Sequence, residues 1–388
     1  MSPAWTMRSA PSSRQTCRPT SSEAAHPSKS EISPIRTPVS LSRRHARGLM
    51  RPQLHRLRKI APRRTEQAPG GVGMAILVTG GSGYIGRWLA NELAEGGEDV
   101  IAYDLQAPPS TPPFLPARAT FVRGDVTDRA AAIEQVAGRG ITAIVHLAGI
   151  VTMGCERDPE LCMRVNLGGT TNLLEAARLA GVPRFVFAST ISVYGPHVSQ
   201  PMTEAATPAE PLTWYGQSKI LAEQLGLYYE RRWGLDFRAA RMAAIVGPSR
   251  VAGSGSATMY TSLILERAAL GEPYEIDVDP RAGTPVLYAR DAARGLATLA
   301  TAPRAPRRIY HLSTGLATAE GLVAIARTRV PDARLSFRTD PALGLVSVIS
   351  REWDLSIAAA REDLGWAPAF TVESMADDLM AIARGERH

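Results

Sequence analysis

Ile76-Leu77-Val78-Thr79-Gly80-Gly81-Ser82-Gly83-Tyr84-Ile85-Gly86 decides how the chain is to be read. An apolar run of the kind a buried parallel strand needs breaks at Gly80, and glycines recur at Gly83 and Gly86. Arg87-Trp88-Leu89-Ala90-Asn91-Glu92-Leu93 then reads as a helix. Glycines between a strand and a helix let the backbone turn tightly and approach a pyrophosphate, and the helix N-terminus offers free N–H groups and a favourable dipole. The spacing is G-x-x-G-x-x-G, not G-x-G-x-x-G, so the strand and helix around the loop carry the expectation of nucleotide binding. A glycine-rich turn without a ligand is the alternative reading.

Upstream, residues 1–73 are rich in Ser, Pro and Arg and show no sustained apolar periodicity, so they are expected to form a disordered basic extension. Of the chain's 44 basic and 37 acidic residues, 14 and 3 lie there, which leaves 30 and 34 in residues 74–388. The basic balance belongs to the extension, and no nucleic-acid partner is expected for the folded part. Three readings of the extension compete: an organelle transit peptide, a basic arm touching nucleic acid or membrane, or a stretch that is not translated. The last is preferred because Met74-Ala75-Ile76 opens the first strand directly. Without a secretory signal or a long apolar run, a soluble protein with no membrane partner is expected, cytoplasmic unless the extension targets an organelle. Cys17, Cys155 and Cys162 offer no metal-ligand pattern and no disulfide framework, so the last two are expected as ordinary thiols in a reducing compartment.

Downstream, Asp99-Val100-Ile101-Ala102-Tyr103-Asp104 is a second strand ending in a carboxylate, 18 residues past Gly86. An acid at that place binds adenosine ribose hydroxyls and repels a 2′-phosphate, which predicts NAD. Further strands are expected at 120–122, at 143–149 and from Arg184 to Gly195, with helices between them. His146 lies inside an apolar run and reads as a core histidine. Strands alternating with helices predict an α/β fold, a doubly wound parallel Rossmann sheet with ligands at the carboxyl ends of its strands. NAD binding is expected mainly in 74–240, with a smaller C-terminal α/β substrate lobe mainly in 241–388.

Tyr215 and Lys219 are four apart at the head of another helix and so share a face. Lys29, Lys59 and Lys219 are the chain's lysines; every other basic residue after Met74 is Arg. A phenol of ordinary pKa about 10 is a poor base near neutrality unless positive charge sits beside it. Lys219 can supply that charge and also hold ribose hydroxyls, for which the guanidinium fork is less suited. Tyr215 is then the acid/base and Lys219 its support, with Thr190, at the end of a strand, orienting the substrate oxygen.

With these residues in place, the chain resembles the extended short-chain dehydrogenase/reductase family, the NAD-dependent epimerase/dehydratase group. The resemblance covers 74–388 through the Gly80–Gly86 loop, Asp104, Gly124-Asp125-Val126, His146-Leu147-Ala148, Val165-Asn166, Thr190, Tyr215-x-x-x-Lys219 and Leu364-Gly365-Trp366-Ala367-Pro368. It implies NAD held by Gly80, Gly83, Tyr84, Ile85, Gly86, Asp104, Asp125, Val126, Leu147, Ala148, Tyr215 and Lys219. It also implies catalysis by Thr190, Tyr215 and Lys219, no metal, and a homodimer built on two helices per subunit.

Within the family the chain is similar to the short-chain type of L-threonine 3-dehydrogenase, through Ser189-Thr190-Ile191, the stretch from Tyr228 to Arg238, and Pro285-Val286-Leu287-Tyr288. It departs where Met259 replaces an Asp and Ala243-Ala244 replaces a Pro-Gly, leaving Ser192, Thr258 and Tyr260 as expected substrate contacts. The expectation is therefore a dehydrogenase of a small hydroxylated substrate, threonine-like or sugar-acid-like. A nucleotide-sugar 4-epimerase is the alternative. It is disfavoured by Thr284, where such enzymes place an Arg that Arg250 or Arg281 would have to replace. A non-catalytic NAD-binding regulator would not need the Tyr215/Lys219 pair.

Overall fold

Every residue of β1 (Ala75–Thr79) is buried, as a strand covered on both faces requires. The structure, a computed structural model, describes residues 74–207, 209–248, 256–338 and 353–387. The basic extension of 1–73 and Arg250 lie outside the described residues. From β1 the chain runs through α1 (Tyr84–Glu95), β2 (Asp99–Asp104), β3 (Ala119–Arg123), α2 (Arg129–Val136) and β4 (Ile141–His146). Next come α3 (Thr152–Arg157), α4 (Pro159–Cys162), a π-helical stretch Met163–Gly169, α5 (Thr170–Ala180) and β5 (Arg184–Thr190). A 3₁₀ turn (Ile191–Val193) leads towards α6 (Trp214–Trp233), β6 (Asp236–Met242) and β7 (Ala244–Val246).

The remainder comprises α7 (Tyr260–Ala269), β8 (Tyr274–Ile276), β9 (Gly283–Tyr288), α8 (Ala289–Thr301), β10 (Ile309–Leu312) and β11 (Gly315–Thr318). After these come α9 (Ala319–Arg329), β12 (Leu335–Phe337), α10 (Ala358–Leu364) and α11 (Val372–Ala383).

Seven strands form one parallel sheet in the order β10-β6-β5-β4-β1-β2-β3. The chain reverses direction across the sheet between β1 and β4, which opens a crevice at the strands' carboxyl ends. Successive residues of β1 feed opposite faces: Ile76 and Val78 join Leu89 and Leu93 of α1, whereas Leu77 joins Ile144, Phe185 and Phe237. Burying each such side chain contributes about 1.5–3 kcal/mol, so the sheet anchors the fold. A second sheet, β11-β9-β7, and the pair β12-β8 build a smaller lobe. Its own core joins Ile264 of α7, Leu322 of α9 and Leu379 of α11.

Three local expectations are corrected. The run from Arg184 does not stay extended to Gly195: Thr190 Oγ1 accepts from Ser192 N at 3.1 Å, and the chain leaves the sheet as a 3₁₀ turn. The stretch 143–149 likewise leaves the sheet after His146. Cys155 and Cys162 are not separate thiols but a disulfide. The Asp158 carboxylate accepts from Leu161 N where α3 meets α4, and that turn brings the two cysteine Cα atoms to 4.9 Å. Cysteine content therefore gives no support for a reducing compartment. Among the described residues no helix is long and apolar enough to cross a membrane, and no cluster of ligating side chains could hold a metal.

Candidate active site

The glycine loop works through what its backbone does without side chains. Gly80 sits at φ +70°, and a Cβ there would fall 2.8 Å from Ala148 N, so the loop lies flat against the end of β4. A Cβ on Gly86 would meet the Gly80 carbonyl at 2.2 Å, so only glycine lets α1 close onto the loop. The Asp104 carboxylate, at the end of β2, accepts from Ser82 N at 3.1 Å and Gln106 N at 3.2 Å. It thereby ties the loop to the next strand. Arg87 is buried behind the loop, its Nη1 committed to the Thr111 and Pro113 carbonyls of the Pro-rich segment.

These groups border a crevice of about 960 Å³. Gly80, Gly83, Tyr84, Ile85, Gly86, Asp104, Asp125, Val126, Leu147, Ala148, Tyr215 and Lys219 all line it. The crevice suits a dinucleotide in its chemistry as well as its size. Bare backbone and a helix N-terminus stand at the middle, and a carboxylate stands at one end. The buried Ser82 hydroxyl in the loop has no hydrogen-bond partner among the described residues. A cradle of this kind is what NAD requires.

At the other end, α6 begins with Thr213 as its cap, the side chain accepting from Gly216 N at 3.0 Å. That cap sets Tyr215 and Lys219 facing β5. Lys219 is buried; its Nζ donates to the Ala188 carbonyl at 2.9 Å and lies 5.7 Å from the Tyr215 ring centroid. Burial pushes the Lys219 ammonium down to about 8, opposed by the Glu223 carboxylate. His146 is the satisfied core histidine expected, between the hydroxyls of Thr79 (2.7 Å) and Thr170 (3.0 Å). Burial, helped by Lys219, lowers it to about 3, so it stays neutral.

A second, smaller pocket of about 130 Å³ adjoins the crevice. Thr190, Ser192, Tyr215 and Thr258 line it together with Met242, Ile245 and Trp353. Tyr215 lines both spaces. The Thr190 hydroxyl donates to Ser192 Oγ at 3.2 Å, so two hydroxyls lining this pocket are already paired. Tyr260, expected at the substrate, instead packs into the lobe's core beside Ile264 and does not line the pocket: it opens α7 on the helix's buried face. Arg281 is well exposed and pairs with Asp279.

Two contributors, Asn166 and Trp353, were given no site role from the sequence. Asn166, in the π-helical stretch, accepts from Ile150 N at 2.7 Å and donates to the Ile150 carbonyl at 2.9 Å and Ser218 Oγ at 3.0 Å. It pins the Gly149–Ile150 wall of the crevice, and π-helical turns often mark such positions. Asn166 could have been found from the Val165-Asn166 motif. Nothing near Trp353 in sequence marks it for the pocket.

Comparison with known proteins agrees with this layout. The model of the NAD dependent epimerase/dehydratase family matches residues 76–313. The mitochondrial L-threonine 3-dehydrogenase of Bos taurus is 30% identical over 79% of this chain and 81% of its own length. The solved L-threonine dehydrogenase of Phytophthora infestans superposes with a TM-score of 0.72 at 29% identity, covering 80% of this chain and 99% of that one. A UDP-glucose 4-epimerase from Thermotoga maritima, solved with UDP-glucose, also gives 0.72, at 25% identity over 81% and 99%.

Proposed function

The chain belongs to the NAD-dependent epimerase/dehydratase family, and from that premise we propose that it oxidises the secondary alcohol of a small hydroxylated molecule, a hydroxy amino acid such as threonine or a sugar acid. The observation that carries this reading is Tyr215 standing in the wall shared by the two pockets. A group there reaches a substrate hydroxyl on one side and the cofactor site on the other. NAD, when bound, supplies the hydride acceptor.

The protein's own part is to place and deprotonate the alcohol. Thr190, turning its hydroxyl proton from Ser192 Oγ to the substrate oxygen, fixes that oxygen's approach. Tyr215 takes the hydroxyl proton as general base. The Lys219 ammonium, held against the Ala188 carbonyl, favours the phenolate and can hold ribose hydroxyls. The glycine loop would receive the pyrophosphate and Asp104 the adenosine ribose. Lys219 is only 4% exposed, so its charge acts on Tyr215 with less screening than at the surface.

Pocket size favours a small substrate. A cavity of about 150 Å³ holds a benzene molecule, and the pocket at Tyr215 is about 130 Å³. The L-threonine dehydrogenases among the relatives support a hydroxy amino acid. The likeness to UDP-glucose 4-epimerase supports a second reading, epimerisation of a nucleotide sugar by the same residues. Full-length protein with NAD, offered L-threonine, other hydroxy amino acids, sugar acids and UDP-sugars, separates the two. Steady NADH formation with a small alcohol is the expected result. Interconversion of UDP-glucose and UDP-galactose without NADH would replace it with the epimerase.

A further inference from the structure

Beneath the Thr190 turn lies a polar cluster that the chemistry above leaves unused. Glu223 stands four residues past Lys219 and eight past Tyr215, on the same side of α6, and is fully buried. Its carboxylate accepts from Ser189 Oγ at 2.5 Å. It also makes a two-pronged pair with Arg241 of β6, Nε to Oε1 at 3.0 Å and Nη2 to Oε2 at 2.6 Å. Ser189 and Arg241 are register partners on neighbouring strands, so the acid meets both at once. Lys219 holds the Ala188 carbonyl next door. One helix face therefore grips two successive residues just before Thr190.

The far end of the turn is held by the same pair. Arg241 Nη1 donates to the Tyr194 hydroxyl at 2.6 Å and lies with its guanidinium over the ring. His311 contacts the Ser356 carbonyl through Nδ1 at 3.1 Å and the Tyr194 hydroxyl through Nε2 at 2.7 Å. A carbonyl can only accept, so in the neutral ring Nδ1 carries the proton and Nε2 is an acceptor, which shares the single Tyr194 hydroxyl proton with the Thr203 carbonyl at 3.1 Å. Ser189 and Tyr194 thus tie both ends of a short turn to one ion pair. Between them stand Thr190 and Ser192, the hydroxyls that face the substrate pocket.

An ion pair this deeply buried contributes little net stability, because the loss of hydration offsets the attraction. Its value lies in geometry, and the turn it holds carries the group that must meet the substrate oxygen. We propose that Glu223 and Arg241 are positioning residues: through Ser189 and Tyr194 they set the height of the Thr190 hydroxyl, a role that rests on the assignment of Thr190 given above.

Ser189→Ala and Tyr194→Phe each cut one tie and leave the ion pair in place. The measurement is NADH formation by the full chain with NAD and L-threonine, or the fastest of the small alcohols named above. Misplacing a reacting group by about 1 Å costs on the order of 100-fold, so each single change should lower kcat about tenfold and the pair together about 100-fold. KM for NAD should stay within about twofold, because the glycine loop is untouched.

In a Thr190→Ala background the same changes should alter kcat by less than about twofold, since they act through a side chain already gone. Glu223→Met with Arg241→Met, which removes the pair without leaving a lone charge, should fold and show the same loss of kcat. Parental kcat in the Ser189→Ala/Tyr194→Phe protein would overturn the proposal. So would equal losses with and without Thr190. The catalytic assignment is judged separately, by Thr190→Ala alone: if that variant keeps the parental rate, Thr190 has no catalytic role whatever Ser189 and Tyr194 do.

Discussion

The cofactor crevice and the smaller pocket beside it share Tyr215 yet are built on different terms. The crevice is made largely of backbone: glycines that must lack a Cβ, a helix N-terminus, and one carboxylate within 30 residues of β1. The pocket is made of side chains delivered by β5, β6, β7 and the segments at Thr258 and Trp353. Backbone geometry admits few residue types and so fixes the cofactor. Side-chain walls admit many, so the same scaffold can change substrate without losing NAD. Tyr215 stands at the junction and lines both, with Lys219 beside it on the crevice side.

Changes at the junction should be the most severe. Lys219→Met should lower kcat by about 100-fold or more, in the range general acid–base groups contribute. The same change should raise stability near neutrality. Burial has lowered Lys219 from 10.5 to about 8, so the unfolded chain binds its proton more tightly than the folded one. Stability from this group is therefore full above about pH 10.5 and lost as pH falls through about 8. Thermal melting should place the variant above the parent at pH 7, with the gap closing as pH rises towards 10.5. A variant that melts lower at pH 7 would contradict the cost assigned to the buried charge.

On the crevice side, Gly86→Ala should weaken NAD binding tenfold or more, about 1.4 kcal/mol, because its Cβ would meet the Gly80 carbonyl at 2.2 Å. Calorimetric titration with NAD reads this directly, and an unchanged affinity would show that the loop can rearrange. Asp104→Asn should act more gently. It removes the like charge that opposes a 2′-phosphate, so the preference for NAD over NADP should fall several-fold, about 1 kcal/mol, when kcat/KM is compared for the two.

On the pocket side the smallest effect is expected. Thr258→Ala should raise the substrate KM about two- to threefold, the low end of what one hydrogen bond contributes, with kcat and NAD affinity held. A loss of NAD affinity on this change would mean the two spaces are not independent.

What could be read in the sequence follows the same division. The strand–glycine–helix unit, Asp104 and the Tyr215/Lys219 spacing are local patterns, each enforced by sterics or by helical periodicity, and they recur in the structure where expected. The turn after Thr190 and the Cys155–Cys162 disulfide depend on a few side-chain contacts and were not visible. Tyr260 is aromatic on a helix that serves the lobe's core, and sequence alone does not say which way such a residue faces. Glu223 did leave a trace, an acid on the Tyr215 and Lys219 face of α6. Its meaning emerges only once β6 places Arg241 beside it.

The most direct test of the central claim is to compare the full chain with its Tyr215→Phe variant, measuring NADH formation with L-threonine and NAD affinity in the same preparations. Loss of the base should cut kcat by about 100-fold or more while NAD affinity stays within about twofold. A Tyr215→Phe protein that forms NADH at the parental rate would contradict the account.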